Sequence, residues 1–164
     1  MPETTANKPY EEIIPTRFRA WLFVGGLMNI IFGFVHVAIV FLGPWAYEYF
    51  GAGYEMTQLA REGSLIPPLV TLFIAGIFWI FGLYGLSGSG RYRQLPLMVP
   101  VLWVIAIVYT LRGLFIIPQF FMQPESTTLP PNDYIYSAVA LFIGFCYLAG
   151  ARGLTKRKHL VELP

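Results

Sequence analysis

The chain has 164 residues, of which 56% are hydrophobic and only 12% charged, with a formal net charge of +2. That is about half the ~25% charge of an average soluble domain, and the mean hydropathy is +0.60. Such a composition excludes an ordinary water-soluble enzyme, the small net charge gives no basis for binding nucleic acid, and the lone Cys146 excludes an intrachain disulfide or a Cys-x-x-Cys site.

Residues 1–16 are polar and proline-bearing, which reads as a frayed segment or one lying along a membrane interface. The first apolar segment, 21–42, matches the ~20 residues a helix needs to cross a hydrocarbon core ~30 Å thick. It exceeds a signal-peptide core and no small-residue cleavage site follows it, so it is expected to remain in the mature protein. Residues 44–50 (Pro-Trp-Ala-Tyr-Glu-Tyr-Phe) then place aromatic rings where headgroups lie. A short surface helix over 54–61, ended by Gly63, is predicted next. The second apolar segment spans 65–86, and the glycine- and serine-rich turn 87–93 predicts that segments two and three are antiparallel neighbours. The third spans 97–117. A Pro-, Ser- and Thr-rich loop without periodicity leads to the fourth, 134–154. The predicted fold is all-α: a single-domain integral membrane antiparallel four-helix bundle with helices at about 18–43, 65–87, 95–118 and 133–154.

Basic residues near membrane ends resist translocation. Lys8, Arg17 and Arg19 precede the first helix, Arg91 and Arg93 lie in the middle link, and Arg152, Lys156, Arg157 and Lys158 close the chain. The loop 43–64 offers only Arg61, and the loop 118–133 has no Lys or Arg. Both termini are therefore expected on the cytoplasmic side. The tail from Lys156 to His159 suits anionic headgroups, each basic residue contributing ~1 kcal/mol. Each half of the chain also runs from a basic start through a helix, a loop and a double proline to a helix containing Leu-Phe-Ile (72–74, 141–143). Hairpin duplication and convergent membrane composition both account for this.

Helices in lipid associate through small residues and polar contacts, because lipid tails are as apolar as leucine. At 100° per residue, Gly25, Gly26, Asn29, Gly33, His36 and Gly43 share one face of the first helix, and Thr71, Ala75, Gly82 and Gly85 one face of the second. Ala106, Tyr109, Arg112 and Gly113 align on the third, and Asp133, Ser137, Ala140, Gly144 and Ala151 on the fourth.

Ionisable and polar groups at membrane depth are candidates for function. His36 and Arg112 each lie about fifteen residues into their segments, roughly 22 Å up a ~30 Å core. This predicts an outward-opening pocket floored by Asn29 and walled by His36, Tyr109 and Arg112, with Glu62, Ser64, Asp133, Tyr136 and Ser137 nearby. The guanidinium fork reads carboxylate or phosphate, and imidazole exchanges a proton near neutral pH. Structural roles compete: Arg112 snorkelling or pairing with Asp133 or Glu62, His36 bonding between helices, Asn29 acting as packing glue, and Cys146 sitting inert in the core. A single intramembrane histidine without cysteine partners predicts neither a metal site nor a haem. No cofactor is expected, hydrolase and phosphate-loop motifs are missing, and so are the charge rows of an ion pathway.

Residues 43–53 (Gly-Pro-Trp-Ala-Tyr-Glu-Tyr-Phe-Gly-Ala-Gly), 81–90 (Phe-Gly-Leu-Tyr-Gly-Leu-Ser-Gly-Ser-Gly) and 109–114 (Tyr-Thr-Leu-Arg-Gly-Leu) resemble a group of uncharacterised small four-helix bacterial membrane proteins. The resemblance implies a bacterial inner membrane and brings no activity or site residue. In size and helix count the chain is also similar to DoxX-type proteins, some linked to quinone or redox chemistry, although shared architecture is not shared function. Two main expectations follow, beside a transporter, for which four helices in one chain would need to oligomerise. The first is a non-catalytic accessory or structural membrane protein whose partners are the bilayer and a larger complex or further copies of itself. The alternative is a membrane-embedded binding protein or enzyme whose outer-leaflet pocket takes a lipid, a quinone or another amphipathic ligand. A filled interior with small or polar residues exposed on one flank favours the first; space between His36 and Arg112 favours the second.

Overall fold

Inside lipid every backbone N–H and C=O must find a partner within the protein, which a helix provides along its whole length. The computed structural model describes residues 16–122 and 131–161, and these are organised by seven helices with no strand. In chain order they are α1 (Thr16–Leu42), α2 (Pro44–Tyr49), α3 (Tyr54–Arg61), α4 (Ile66–Gly88), α5 (Met98–Leu114), α6 (Ile116–Met122) and α7 (Pro131–Val161). Four stretches are long and apolar enough to span a membrane: Arg17–Leu42, Ile66–Gly88, Met98–Pro118 and Asn132–Thr155. The protein is thus an all-α membrane bundle, and these stretches match the four predicted helices closely. The expectations for residues 1–15, for the loop 123–130 with Pro130, and for the side chains of 156–159 lie outside the described residues.

Local chemistry sets the helix ends. Gly43, at φ 71°, turns the chain sharply out of α1, and Pro44 starts α2 where a missing N–H costs nothing. Gly63, at φ 77°, follows the predicted surface helix α3. Pro67 and Pro68 occupy the first turn of α4, and Ser64 Oγ accepts the Ile66 N–H at 3.2 Å. α5 starts at Met98, three residues later than expected, because Pro96 cannot donate and Leu97 adopts a left-handed φ of 52°. The third span also breaks at Phe115 into α5 and α6. The backbone of α7 continues as helix to Val161, beyond the apolar segment.

Packing departs from one expectation. α1 packs most extensively on α4, and α5 on α7; α1 against α7 joins the two pairs, while α4 and α5 touch only slightly. The link from α4 to α5 is an organised corner rather than the tight flexible turn expected. Ser87 Oγ donates to the Arg93 carbonyl at 2.6 Å and accepts the Leu95 N–H at 3.1 Å, while Arg19 Nε donates to the Ser89 carbonyl at 2.9 Å. Close approach between helices follows the glycines instead. A Cβ on Gly26 would lie 2.9 Å from the Leu86 nitrogen and 3.0 Å from the Gly82 carbonyl oxygen, so α1 and α4 meet backbone to backbone.

The core at the centre of the bundle is built from Leu22, Leu102, Ile105, Ile143 and Tyr147. Cys146, beside Gly25 of α1, is fully buried with a free thiol. Maleimide is therefore expected to leave Cys146 unlabelled in native membranes and to label it fully after denaturation in SDS. Rapid labelling of the native protein would contradict this packing. A second, smaller cluster lies at the other side of the α1 end, where Ala46 and Tyr47 of α2 bury against Ile39. The ion pair from Arg61 Nη2 to Glu48 Oε2, at 2.6 Å, fastens α3 to α2, and Trp45 and Tyr49 stack on the exposed face with centroids 5.3 Å apart.

Candidate functional site

At the end of the bundle bearing α2 and α3, the four long helices part around a cavity of about 320 Å3. Helical periodicity selects its walls. α1 turns Phe32, His36 and Ile39 toward it at spacings of four and three, and α7 does the same with Tyr136, Ala140 and Ile143. α5 contributes Tyr109 and Arg112, α4 contributes Phe78, and Phe50 reaches in from the end of α2. Most of the wall is apolar, and the polar groups converge from α1, α5 and α7.

His36 is fixed on two sides. Its Nδ1 lies 2.8 Å from the Phe32 carbonyl oxygen, and its ring packs on Phe78 at a centroid distance of 4.7 Å. A carbonyl only accepts, so Nδ1 carries the hydrogen, and in the neutral imidazole Nε2 holds the lone pair. Among the described residues Nε2 has no hydrogen-bond partner. Arg112 is an exposed residue in the last turn of α5, and among the described residues its guanidinium has neither an ion pair nor a hydrogen bond. The pairings with Asp133 or Glu62 offered by the sequence are not formed. Asp133 sits instead in the first turn of α7, where a carboxylate complements the positive helix end. It does not line the cavity.

Asn29 is not the cavity floor. It is fully buried and stands apart from the cavity wall, with Tyr109 serving both places. The Tyr109 ring lines the cavity, and its hydroxyl donates to Asn29 Oδ1 at 2.5 Å. Asn29 Nδ2 donates to the Gly25 carbonyl at 2.9 Å and to the Tyr147 hydroxyl at 3.3 Å; that hydroxyl donates to the Phe81 carbonyl at 2.7 Å. All four long helices thus meet in one satisfied polar network. Low dielectric strengthens such a network when complete and makes any orphaned member costly. The two tyrosine rings stack with an interplanar angle of 7°.

Of the five residues proposed from sequence, the structure gathers His36, Tyr109 and Arg112 around the cavity and leaves Asn29 and Asp133 away from it. Tyr147 escaped the sequence reading. Its signal was a phenol midway along an apolar helix, since a buried Tyr hydroxyl needs a partner. Phe32, Phe50 and Phe78 were missed because aromatic residues are abundant throughout and carry no positional mark. Among the described residues no group of three or more His, Cys, Asp and Glu side chains is placed to hold a metal ion. The arrangement can clasp a molecule whose apolar body meets aromatic walls while its polar end meets imidazole and guanidinium. No family model matches the chain, and no curated protein or solved structure is significantly similar to it.

Proposed function

We propose that this membrane protein is a binding protein whose cavity takes the polar end of an amphipathic molecule such as a lipid or a quinone. The observation carrying this reading is the convergence of His36, Tyr109 and Arg112, from two helices that do not pair extensively, on one cavity of about 320 Å3. That volume lies at the lower end of the ~300–1,000 Å3 range of small-molecule sites. The distribution of small residues supports the same choice. Gly25, Gly26, Gly33, Gly82, Gly85 and Gly144 are consumed inside the bundle, while Phe34, Phe41, Leu69 and Phe73 are exposed. An accessory subunit is expected to present its small residues outward to a partner helix. In this reading the Lys and Arg distribution supports both termini on the cytoplasmic side and the cavity toward the outer leaflet, and a bacterial inner membrane is what the resemblance of residues 43–53, 81–90 and 109–114 implies.

Val139 lines the cavity and is partly exposed, so Val139→Phe narrows it without emptying the core. Native mass spectrometry of protein extracted in mild detergent is expected to find a co-purifying amphiphile on the wild type. Its occupancy is expected to fall severalfold in Val139→Phe. A wild type that carries no such molecule and co-purifies with a protein partner would return the accessory-subunit reading. Equal occupancy in the variant would place the molecule outside the cavity.

A further inference from the structure

We infer that the polar end this cavity accepts is anionic: the carboxylate or phosphate monoester of an aliphatic lipid, held by Arg112 with His36 beside it. This rests on the binding reading above and narrows it. The first support is charge. Among the described residues Arg112 is the sole charged one lining the cavity, and no Asp or Glu lines it. A guanidinium at membrane depth is costly without a counter-charge, and among the described residues Arg112 has none. An anion brought in by a lipid supplies it. The second support is shape, because the planar fork of Arg pairs two donors with two oxygens of a carboxylate or phosphate, which a neutral ester or alcohol cannot match.

The third support is the histidine. The Phe32 carbonyl holds Nδ1–H, so Nε2 is the nitrogen left to meet a ligand. Neutral, it accepts a hydrogen from a protonated head oxygen; protonated, it donates to an anionic one. Carboxylates and phosphate monoesters offer both forms, whereas a sulfonate offers only the second. Among the described residues, the titratable or charged groups that line the cavity with His36 are Arg112 and Tyr109 on α5 and Tyr136 on α7, with the Phe78 ring of α4 packed on the imidazole, and none of them is a carboxylate that competes for the same contact. Beyond the head, Phe32, Phe78 and Val139 provide an apolar lining for the first carbons of the chain.

The test is equilibrium binding of tritiated oleate to the purified full chain in dodecyl maltoside, with dodecyl phosphate, dodecyl sulfonate and neutral monoolein as competitors. Oleate is expected to bind and to be displaced by dodecyl phosphate, with sulfonate and monoolein each at least tenfold weaker. Arg112→Gln is expected to weaken oleate about tenfold or more, and Arg112→Lys severalfold less. Arg112 is exposed and unpaired among the described residues, so both variants should fold, which their melting temperatures check. Should Arg112→Gln fail to fold, the competitor series and Arg112→Lys decide alone. Monoolein binding as tightly as oleate, with Arg112→Gln unaffected, would overturn the anionic head while leaving the amphiphile-binding reading intact. Oleate retained equally by Arg112→Gln and Val139→Phe would mark surface partitioning and overturn the inference. No binding by any probe, in a wild type free of co-purified lipid, would remove both.

Discussion

Gly85→Val is expected to lose about 3 kcal/mol or more of stability, read as a lower SDS fraction at the unfolding midpoint, because it forces apart the most extensive helix pair in the protein. A Cβ at this position would lie 2.6 Å from the Gly26 Cα and 2.8 Å from the Tyr147 hydroxyl oxygen. The first neighbour is backbone and cannot swing aside, so α4 must retreat from α1. The second is a member of the buried network, so retreat also stretches the contact from Tyr147 to the Phe81 carbonyl. Overpacking and a disturbed buried hydroxyl each cost roughly 1–3 kcal/mol. Gly76, on the same helix, provides the comparison: nothing lies within 4 Å of its added Cβ. Gly76→Ala should be neutral or stabilising, since alanine is the better helix former by up to ~1 kcal/mol. Gly85→Ala, whose Cβ meets the same Gly26 backbone, should also lose stability, and equal losses from it and from Gly76→Ala would show that helix approach is not the cause.

The contrast between those two glycines marks how far sequence reading reaches. Hydropathy and length located the four spans, because the need to satisfy the backbone in lipid leaves a helix as the natural single-segment solution. Counting residues from the membrane edge placed His36 and Arg112 at one depth, and one cavity does hold both. Depth is legible because rise per residue is constant. Lateral arrangement is much less so. The turn after α4 suggested that α4 and α5 pack together, yet Ser87 and Arg19 build a corner that lets α5 pair with α7 instead. The helical stripe placed Gly85, and not Gly76, on the packing face of its helix, and the structure agrees; that Gly85 meets the Gly26 backbone in particular depends on rotation and crossing geometry. Asn29 shows the same limit. Its depth and its face were readable, but its distance from the cavity depended on Tyr109 reaching across with its hydroxyl. Asp133, likewise, was placed near the site by position, whereas the helix start claims it locally.

Asn29→Ala is expected to destabilise the protein by about 2 kcal/mol and also to weaken ligand binding, although Asn29 does not line the cavity. The substitution removes the acceptor of the Tyr109 hydroxyl and one contact of the Tyr147 hydroxyl, which keeps the Phe81 carbonyl. Tyr109 is therefore the group left orphaned in a buried, low-dielectric position, where an unsatisfied donor costs roughly 1–3 kcal/mol. Hydrogen bonds between membrane helices average only ~0.6 kcal/mol and reach ~1.7 in double-mutant cycles, so the orphan rather than the bond sets the scale. A cycle with Tyr109→Phe separates the two. If the orphan dominates, Asn29→Ala combined with Tyr109→Phe should be less destabilised than the sum of the single variants, by about 1 kcal/mol. Strict additivity would mean that the two side chains do not act through one another. The binding effect follows from the same bond, because the ring lining the cavity is held by the hydroxyl that Asn29 fixes. Tyr147→Phe supplies the control: it loses the contact with Phe81 and should cost stability, yet it leaves the Tyr109 bond to Asn29 in place and should bind amphiphile as the wild type does.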